Sequence, residues 1–305
     1  MKVRSFGTRV GDWFFVLICF VVILLCIMPM INLLAQSLSS AFSVISGRVS
    51  FLPMLYDEAS NTHRVGITLD SYGYVFMDQS FTRSMWWTAI LTIICTCLSL
   101  TMTILCAYPL TYGWLKGKGI INTMIIFTMY FSAGTIPNYV LMQSLGLLNN
   151  PLVLIIPNCL SVFNMIILRS FFFGIPDSLR ESAEIDGANP FTVLTKIYLP
   201  LSAPVLATLA LFYAVGRWNG FTDALLYINS TAAQWFPIQL KLWTLIQNQT
   251  SLDLSTIEMA AGTVPRVSDA MKAAAIMFAT VPILVVYPWL QRYFITGVTI
   301  GAVKG

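Results

Sequence analysis

One short segment between long apolar runs combines charged residues with signals for capped helices. This segment, ESAEIDGANPFTVLTKIYLP at residues 181–200, carries Glu181, Glu184, Asp186 and Lys196. Exposed carboxylates such as Glu181 and Asp186 can form charge-assisted hydrogen bonds with basic groups or helix ends of another protein. The segment is therefore predicted to be a binding surface, and a plain amphipathic connector is the alternative.

Catalytic and metal-binding patterns are missing from the sequence. The stretch GWLKGKG resembles a phosphate-binding loop, but its spacing is short and Gly119 stands where Ser or Thr is required. The single histidine, His63, cannot build a catalytic triad or a metal site alone, and the cysteines form no C-x-x-C pair. The chain is predicted not to be an enzyme and to bind no metal or cofactor itself.

Capping signals predict two short helices in the charged segment. Ser178 and Glu181 fit a capping box that opens the first helix after Pro176, and Gly187 is placed to end it in a left-handed conformation.

The second short helix has its own signals. Asn189 and Pro190 suit its N-cap and first turn. It is predicted to end before Pro200, because a residue that precedes proline is pushed out of helical geometry.

The composition indicates that the elements around this segment are membrane-spanning helices. Of 305 residues, 57% are hydrophobic and only 10% are charged, against about 25% in an ordinary soluble domain. Helices of roughly 20 apolar residues cross a bilayer with every backbone group satisfied. The sequence therefore predicts an all-α polytopic membrane protein of one domain, residues 13–305, with six spans at about 13–35, 85–108, 120–141, 151–173, 202–218 and 271–291.

The distribution of lysine and arginine predicts the orientation in the membrane. Basic residues are more than twofold denser in the segments 1–12, 109–119, 169–200 and 292–305 than in the other connections, which places these segments in the cytoplasm. Both termini and the charged segment would then be cytoplasmic. The first run is too long for a secretory signal and is taken as a retained span. Two long outer loops, about 37–84 and 219–270, are either connections or docking sites for an external partner.

The charged segment resembles the loop signature of binding-protein-dependent ABC importer permeases. The matching positions are Glu181, Ala183, Asp186, Gly187, Ala188 and Pro200, while Ser182 departs from the usual alanine. The tail QRYFITGVTIGAVKG resembles that of the MalG-like carbohydrate-uptake branch. The stretches GTIPNYVLMQSLGLLNN, SVFNMIILRSFFFGIP and LFYAVGRWNGF resemble its oligosaccharide permeases, so the resemblance covers nearly all six spans.

This resemblance implies a fold, a function and a set of partners. The fold would be that of a type I ABC importer permease, with a coupling helix in the loop at 174–200 that docks on a separate cytoplasmic ATPase. Two ATPase copies would bind ATP and Mg, a second homologous permease would complete a heterodimer, although a homodimer is open, and an external solute-binding protein would deliver the substrate. The chain would import carbohydrates by alternating access, as a multi-pass protein of the bacterial cell membrane surrounded by lipid, and it would bind no nucleic acid.

Two other classes of function remain as alternatives. A secondary, ion-coupled transporter usually keeps ionisable residues inside its spans, and these spans contain no Asp or Glu away from their ends. Sodium coupling through carbonyl and hydroxyl groups is nevertheless compatible with the sequence. A membrane-embedded enzyme would need paired carboxylates or metal ligands in the bilayer, and the sequence offers neither.

Polar and aromatic side chains within the spans are the candidates for a translocation path. Aromatic rings and amides suit sugars, which have apolar faces and hydroxylated edges, although packing between helices is the alternative for each residue. Tyr213 and Arg217 share a helix face, and Arg217 could contact an anionic sugar or extend to the interface. The predicted path residues are Asn164, Tyr213, Arg217, Trp218 and Asn219, with Asn122, Tyr130, Ser132, Asn138 and Asn158 as further candidates.

Overall fold

The chain is mainly helical in a computed structural model that describes residues 6–57, 60–250 and 269–302. Its first part contains α1 (Phe6–Ser37), α2 (Ala41–Ile45), β1 (Met54–Asp57), β2 (Thr62–Val65), α3 (Asp70–Met77), α4 (Gln79–Ala107), α5 (Lys118–Tyr130) and α6 (Thr135–Ser144). Its second part contains α7 (Val162–Phe173), α8 (Asp177–Ile185), α9 (Pro190–Val193), α10 (Leu199–Leu201), α11 (Ala203–Asn219), α12 (Thr222–Tyr227), α13 (Ile238–Thr250) and α14 (Asp269–Ala302). Short 3₁₀ turns lie at Pro109–Thr111, Pro151–Leu154 and Ser230–Trp235.

The chain divides into two compact units, Met1–Thr82 with Leu242–Thr280, and Arg83–Lys241 with Val281–Gly305. In the first unit, β1 and β2 pair antiparallel in the loop 37–84, with Tyr56 opposite His63. His63 is half-buried there, and its Nδ1 lies 2.9 Å from Ser43 Oγ. This hairpin corrects the expectation of a purely α-helical chain.

The core of the second unit lies where α4, α7, the short helices after α8, and α11 meet. Its fully buried members include Met165, Leu168 and Phe172 of α7, together with Tyr198 and Leu209. These residues pack around the end of α4, so the segment 177–200, called the contact segment below, contributes directly to this core.

Three helical stretches are long and apolar enough to cross a membrane as single spans. They are Asp12–Ser37, Gln79–Thr111 and Asp269–Val286, and they correspond to the predicted spans 13–35, 85–108 and 271–291. Three further pairs of helices pass the same test only when the two members of each pair are taken together, and each pair is bent by more than 40°. The predicted helix over 202–218 coincides with α11 (Ala203–Asn219).

The predicted continuous helix over 120–141 is wrong. α5 ends at Tyr130, and α6 begins at Thr135 in a direction that differs by 113°. Gly134 precedes α6 with a φ of +89°, a conformation that cannot continue a right-handed helix. Pro137 then fits the first turn of α6, where its missing N–H costs no hydrogen bond.

The predicted continuous helix over 151–173 is also wrong. Only α7 (Val162–Phe173) is α-helical, and its 12 residues are about 18 Å long, which is short of a bilayer core. Pro157 interrupts the preceding segment, and the Ser161 side chain accepts a hydrogen bond from the N–H of Asn164 and starts the helix there. The axis turns by 73° between α7 and α8.

Candidate functional site

The first short helix of the contact segment starts two residues earlier than the capping box predicts. α8 begins at Asp177, with Pro176 as its N-cap, and no side chain of the described residues caps it. The predicted role of Ser178 is therefore wrong, because this residue already lies inside the helix. Arg180 instead ties the helix together through ion pairs with Asp177 at 3.0 Å and Glu184 at 3.7 Å.

The end of α8 is as predicted at Gly187, whose φ is +82°. The N–H of Ala188 donates to the carbonyl of Ala183 at 2.9 Å, and the N–H of Gly187 donates to the carbonyl of Glu184 at 3.1 Å. This pair of bonds is the Schellman motif, which satisfies the last carbonyls of a helix. Ala183 and Ala188, which the motif brings together, pack against the core, whereas Ser182 is exposed. The departure from alanine at Ser182 is therefore harmless to packing.

The second short helix begins as predicted but does not end before Pro200. The Asn189 side chain accepts a hydrogen bond from the N–H of Thr192 at 2.8 Å, and Pro190 follows in the first turn. The helix then widens into a π turn over Leu194–Tyr198, where the N–H of Leu199 donates to the carbonyl of Leu194. This wider turn accommodates Pro200 without a lost partner, so helical backbone continues to Leu201 before it bends by 82° into α11.

An aromatic cluster fastens this segment to the ends of α4 and α7. Tyr108 packs edge-on against Tyr198 with the ring centroids 5.1 Å apart, and Phe172 packs against Tyr198 at 5.3 Å. The Tyr108 hydroxyl also donates to the carbonyl of Pro190 at 2.9 Å. Because these rings are almost fully buried, the contact segment and the ends of these helices share one packed core.

The surface of the contact segment carries unpaired carboxylates and exposed apolar side chains. Glu181 and Asp186 are exposed, and neither pairs with a cation in the described part of the chain. Ile185 is 86% exposed and Phe191 is 69% exposed, values typical of residues that a partner covers. Neither apolar residue was predicted to belong to the contact surface; the available signal was the position of Ile185 between Glu184 and Asp186.

A second candidate site is a cavity of about 720 Å³ between α4, the 3₁₀ turn after α6, α7 and α11. Asn164, Tyr213 and Arg217 line it, so the structure brings these three predicted path residues together. A neighbouring cavity of about 430 Å³ is lined by Asn138 and shares Asn158 and Asp223 with the first. The amide side chains of Asn138, Asn158 and Asn164 thus line two neighbouring cavities.

Arg217 is held in a buried ion pair. Its Nη2 donates to Asp223 Oδ1 at 3.0 Å and its Nη1 donates to Asp223 Oδ2, with the two side chains only 8% and 14% exposed. The same guanidinium donates to the carbonyl of Leu154 at 3.2 Å and to that of Gly220 at 3.0 Å. Arg217 does not extend to the interface, and its charge is already neutralised. Asp223 was not among the predicted path residues, and its spacing of six residues from Arg217 was the available signal.

Of the predicted path residues on α11, Tyr213 lines the cavity, whereas Trp218 and Asn219 do not. The Tyr213 hydroxyl lies 2.7 Å from Thr103 Oγ1 and accepts a hydrogen bond from the N–H of Ser161 at 3.2 Å. Trp218 is buried, and the exposed Asn219 donates to the carbonyl of Val215, so both lie outside the cavity lining.

The other polar candidates divide into two groups. Asn138 and Asn158 line the smaller cavity. Asn122 accepts a hydrogen bond from Arg169, Tyr130 is 75% exposed, and Ser132 accepts a hydrogen bond from the N–H of Gly134. Within residues 6–57, 60–250 and 269–302, no group of three His, Cys, Asp or Glu side chains is arranged to hold a metal ion.

Comparisons of the sequence with known proteins identify the family of the chain. Residues 4–300 match the family described as binding-protein-dependent transport system inner membrane component. Relatives in Bacillus subtilis strain 168 include the polygalacturonan/rhamnogalacturonan transport system permease protein YtcP, 38% identical over 92% of this chain and 94% of its own length. Protein LplC of the same strain is 42% identical over 85% of this chain and 91% of its own length.

A solved structure is also similar over nearly the whole chain. It is a bacterial ABC transporter involved in the import of the acidic polysaccharide alginate, with a TM-score of 0.83 and 32% identity over 96% of this chain and 100% of that one. The family match, the similar relatives and the shared fold lead to one conclusion. The chain belongs to the binding-protein-dependent transport system inner membrane components, which are the permease subunits of ABC transporters.

Proposed function

We propose that the chain is the permease subunit of an ATP-driven importer of oligosaccharides in the bacterial cell membrane. The observation that carries this proposal is the contact segment, in which unpaired carboxylates and exposed apolar side chains stand on a rigid, capped helix fastened to the core. The substrate class rests on the similar proteins, whose names specify polygalacturonan, rhamnogalacturonan and alginate.

In this proposal the chain spans the membrane six times, with both termini in the cytoplasm. In addition to the three single spans, α5 with α6, α7 with the residues before it, and α11 each count as one span. The loop at 174–200 then lies at the cytoplasmic surface, where two copies of a separate ATPase bind ATP and Mg. A second homologous permease forms a heterodimer with this chain, and an external solute-binding protein delivers the substrate.

The contact segment transmits the closure of the ATPase to the permease. Glu181 and Asp186 pair with basic groups of the ATPase, and the neighbouring Ile185 and Phe191 are buried in the contact. Because Tyr108 and Tyr198 join the segment to α4 and α11, movement of α8 shifts the long helices between inward-open and outward-open states. The free energy that drives this movement comes from the difference in ATPase binding affinity between the two states, and this chain performs no chemical step.

The cavity near α11 forms part of the substrate path. A volume of about 720 Å³ lies within the range of small-molecule sites, about 300–1,000 Å³. The Asn164 amide lines this cavity and makes no side-chain hydrogen bond with any described residue, so it is available to a sugar hydroxyl. Tyr213 provides a ring face, and Arg217 holds the wall in place rather than binding an anion. Trp218 and Asn219 stay predicted path residues outside this cavity.

The test replaces the unpaired carboxylates in the assembled complex, as Glu181→Gln with Asp186→Asn. We expect normal amounts of complex in the membrane and a loss of substrate-stimulated ATPase activity. The matched control is Glu184→Gln, which removes a carboxylate from the same helix but leaves Arg180 paired with Asp177. Full stimulated activity in the double variant would contradict the coupling role. Uptake into vesicles that stops with ionophores and continues without ATP would instead support a secondary transporter.

A further inference from the structure

Two cationic side chains from different helices converge on one aromatic ring next to the contact segment. Lys118 Nζ, at the start of α5, lies 5.0 Å from the centroid of the Phe173 ring. The Arg169 guanidinium, on α7, lies 5.1 Å from the same centroid. Phe173 itself is 53% exposed, so both charges border an accessible surface. Since both charges lie about 5 Å from one point, they are at most about 10 Å apart, and an anion beside them would offset their repulsion.

The described residues provide no such anion. Neither Lys118 nor Arg169 forms an ion pair with any described carboxylate, whereas Arg180, Arg217 and Lys272 each have at least one. Lys118 reaches only the carbonyls of Thr111 and Tyr112, at 3.4 and 3.3 Å.

Most donors of Arg169 are likewise unused. Its guanidinium makes one hydrogen bond to a described residue, from Nη1 to Asn122, and its Nε is buried without a partner in the described chain. A buried donor without a partner calls for an explanation, and a bound anion supplies one by offsetting the charge.

The backbone adds to the positive field at this place. α5 begins at Lys118 after Gly117, which offers no side-chain acceptor, and the described first turn contains no acidic residue. The N-terminal end of this helix therefore adds an uncompensated partial positive charge beside the two cations.

The surface around the two cations is apolar rather than acidic. Trp114 is 72% exposed, and Ile120 and Met124, which share a face of α5, are 69% and 65% exposed. Such a combination of cations, an aromatic ring and aliphatic side chains matches the boundary between lipid head groups and acyl chains.

We propose that Lys118, Arg169 and Phe173 form a binding site for the phosphate head group of an anionic phospholipid. This proposal depends on the proposed function only for the orientation of the chain in the membrane, which places residues 109–119 and 169–200 at the cytoplasmic face. The lipid phosphate bonds the two cations, and the acyl chains lie on the apolar face of α5. An acidic surface of the ATPase is the less favourable occupant for two reasons. The surface next to the two cations is apolar, and the contact segment presents its own carboxylates to the ATPase, which calls for a basic partner surface.

The experiment titrates the purified whole complex with phosphatidylglycerol and phosphatidylcholine and counts bound lipids by native mass spectrometry. The variant is Lys118→Gln with Arg169→Gln, and the control is Lys116→Gln with Lys196→Gln, which removes two exposed cations that make no ring contact with Phe173. Each cation that bonds the phosphate directly contributes about 1 kcal/mol, or about fivefold in affinity, so we expect about thirtyfold weaker phosphatidylglycerol binding in the variant. The control variant should bind like the wild type.

Several results would overturn the site. They are equal loss in variant and control, equal affinity for the two lipids in the wild type, or binding of soluble glycerol phosphate as tight as that of the lipid. Lys118→Gln alone, with an expected fivefold loss, replaces the double variant if that variant fails to assemble.

A photoreactive residue at position 120 of the otherwise unchanged complex should cross-link to lipid, and a cross-link to the ATPase or the second permease would also overturn the site. Because substrate-stimulated ATPase activity is measured separately, failure of the lipid site leaves the coupling proposal standing.

Discussion

The ion pair between Arg217 and Asp223 offers the sharpest test of how the cavity wall is built. Arg217 bonds both carboxylate oxygens of Asp223 and the carbonyls of Leu154 and Gly220, and thereby joins α11 to the turn after α6 and to the start of α12. The perturbation is Asp223→Ala, which removes the only carboxylate that neutralises the buried guanidinium within the described chain.

The magnitude follows from the burial of the pair. Removing one partner of a buried ion pair costs about 3–5 kcal/mol, because the other charge is left uncompensated. Asp223 is 14% exposed and Arg217 keeps two carbonyl acceptors, so we expect the lower end, about 3 kcal/mol. This corresponds to more than a hundredfold change in an equilibrium constant.

The assay is the thermal stability of the assembled complex in detergent, read as the fraction that remains assembled after heating. The matched control is Asp269→Ala, which breaks the pair with Lys272 at 2.8 Å, where the side chains are 60% and 20% exposed. An exposed pair of this kind contributes about 0–1 kcal/mol, so the control should melt close to the wild type. Equal melting of Asp223→Ala and Asp269→Ala would refute the reasoning.

Two further variants separate the pair from its surroundings. Arg217→Met together with Asp223→Ala should be less destabilised than the sum of the single changes, because no buried charge is left without a partner. Exchange of the two residues, Arg217→Asp with Asp223→Arg, should not restore stability, since a carboxylate at 217 would face the carbonyls of Leu154 and Gly220. Additive effects, or rescue by the exchange, would show that these carbonyls do not define the site.

The remaining predictions concern the contact segment. Gly187→Ala should lower stability by about 1 kcal/mol and weaken substrate-stimulated ATPase activity, because φ is +82° although no described atom crowds the added carbon; Gly187→Asn should cost less. Ile185→Ser should weaken binding of the ATPase subunit about tenfold in a pull-down titration, since a buried isoleucine contributes about 1.5–3 kcal/mol, and unchanged binding would place the contact elsewhere. Tyr108→Phe should lower the melting temperature of the complex, because it removes the hydrogen bond to the Pro190 carbonyl, which is worth about 1 kcal/mol. An unchanged melting temperature would show that this bond does not fasten the contact segment.

The sequence by itself determined those features that depend on neighbours along the chain. The low charge and long apolar runs predicted membrane helices, and α1, α4 and α11 lie where the runs do. Gly187 and Asn189 were predicted as caps because the bonds that define a cap join residues within five positions of each other. The family signature at 181–200 could also be recognised from the sequence, because its residues are neighbours along the chain.

The tertiary structure decided what depends on residues far apart in the chain. The break at Gly134 and the π turn before Pro200 could not be read from apolar runs, because hydropathy does not distinguish a straight helix from a bent one. The carbonyl of Leu154 meets Arg217 across 63 positions, and that of Pro190 meets Tyr108 across 82. Such contacts follow from how helices pack, and packing brings together donors and acceptors whose spacing in the sequence carries no signal.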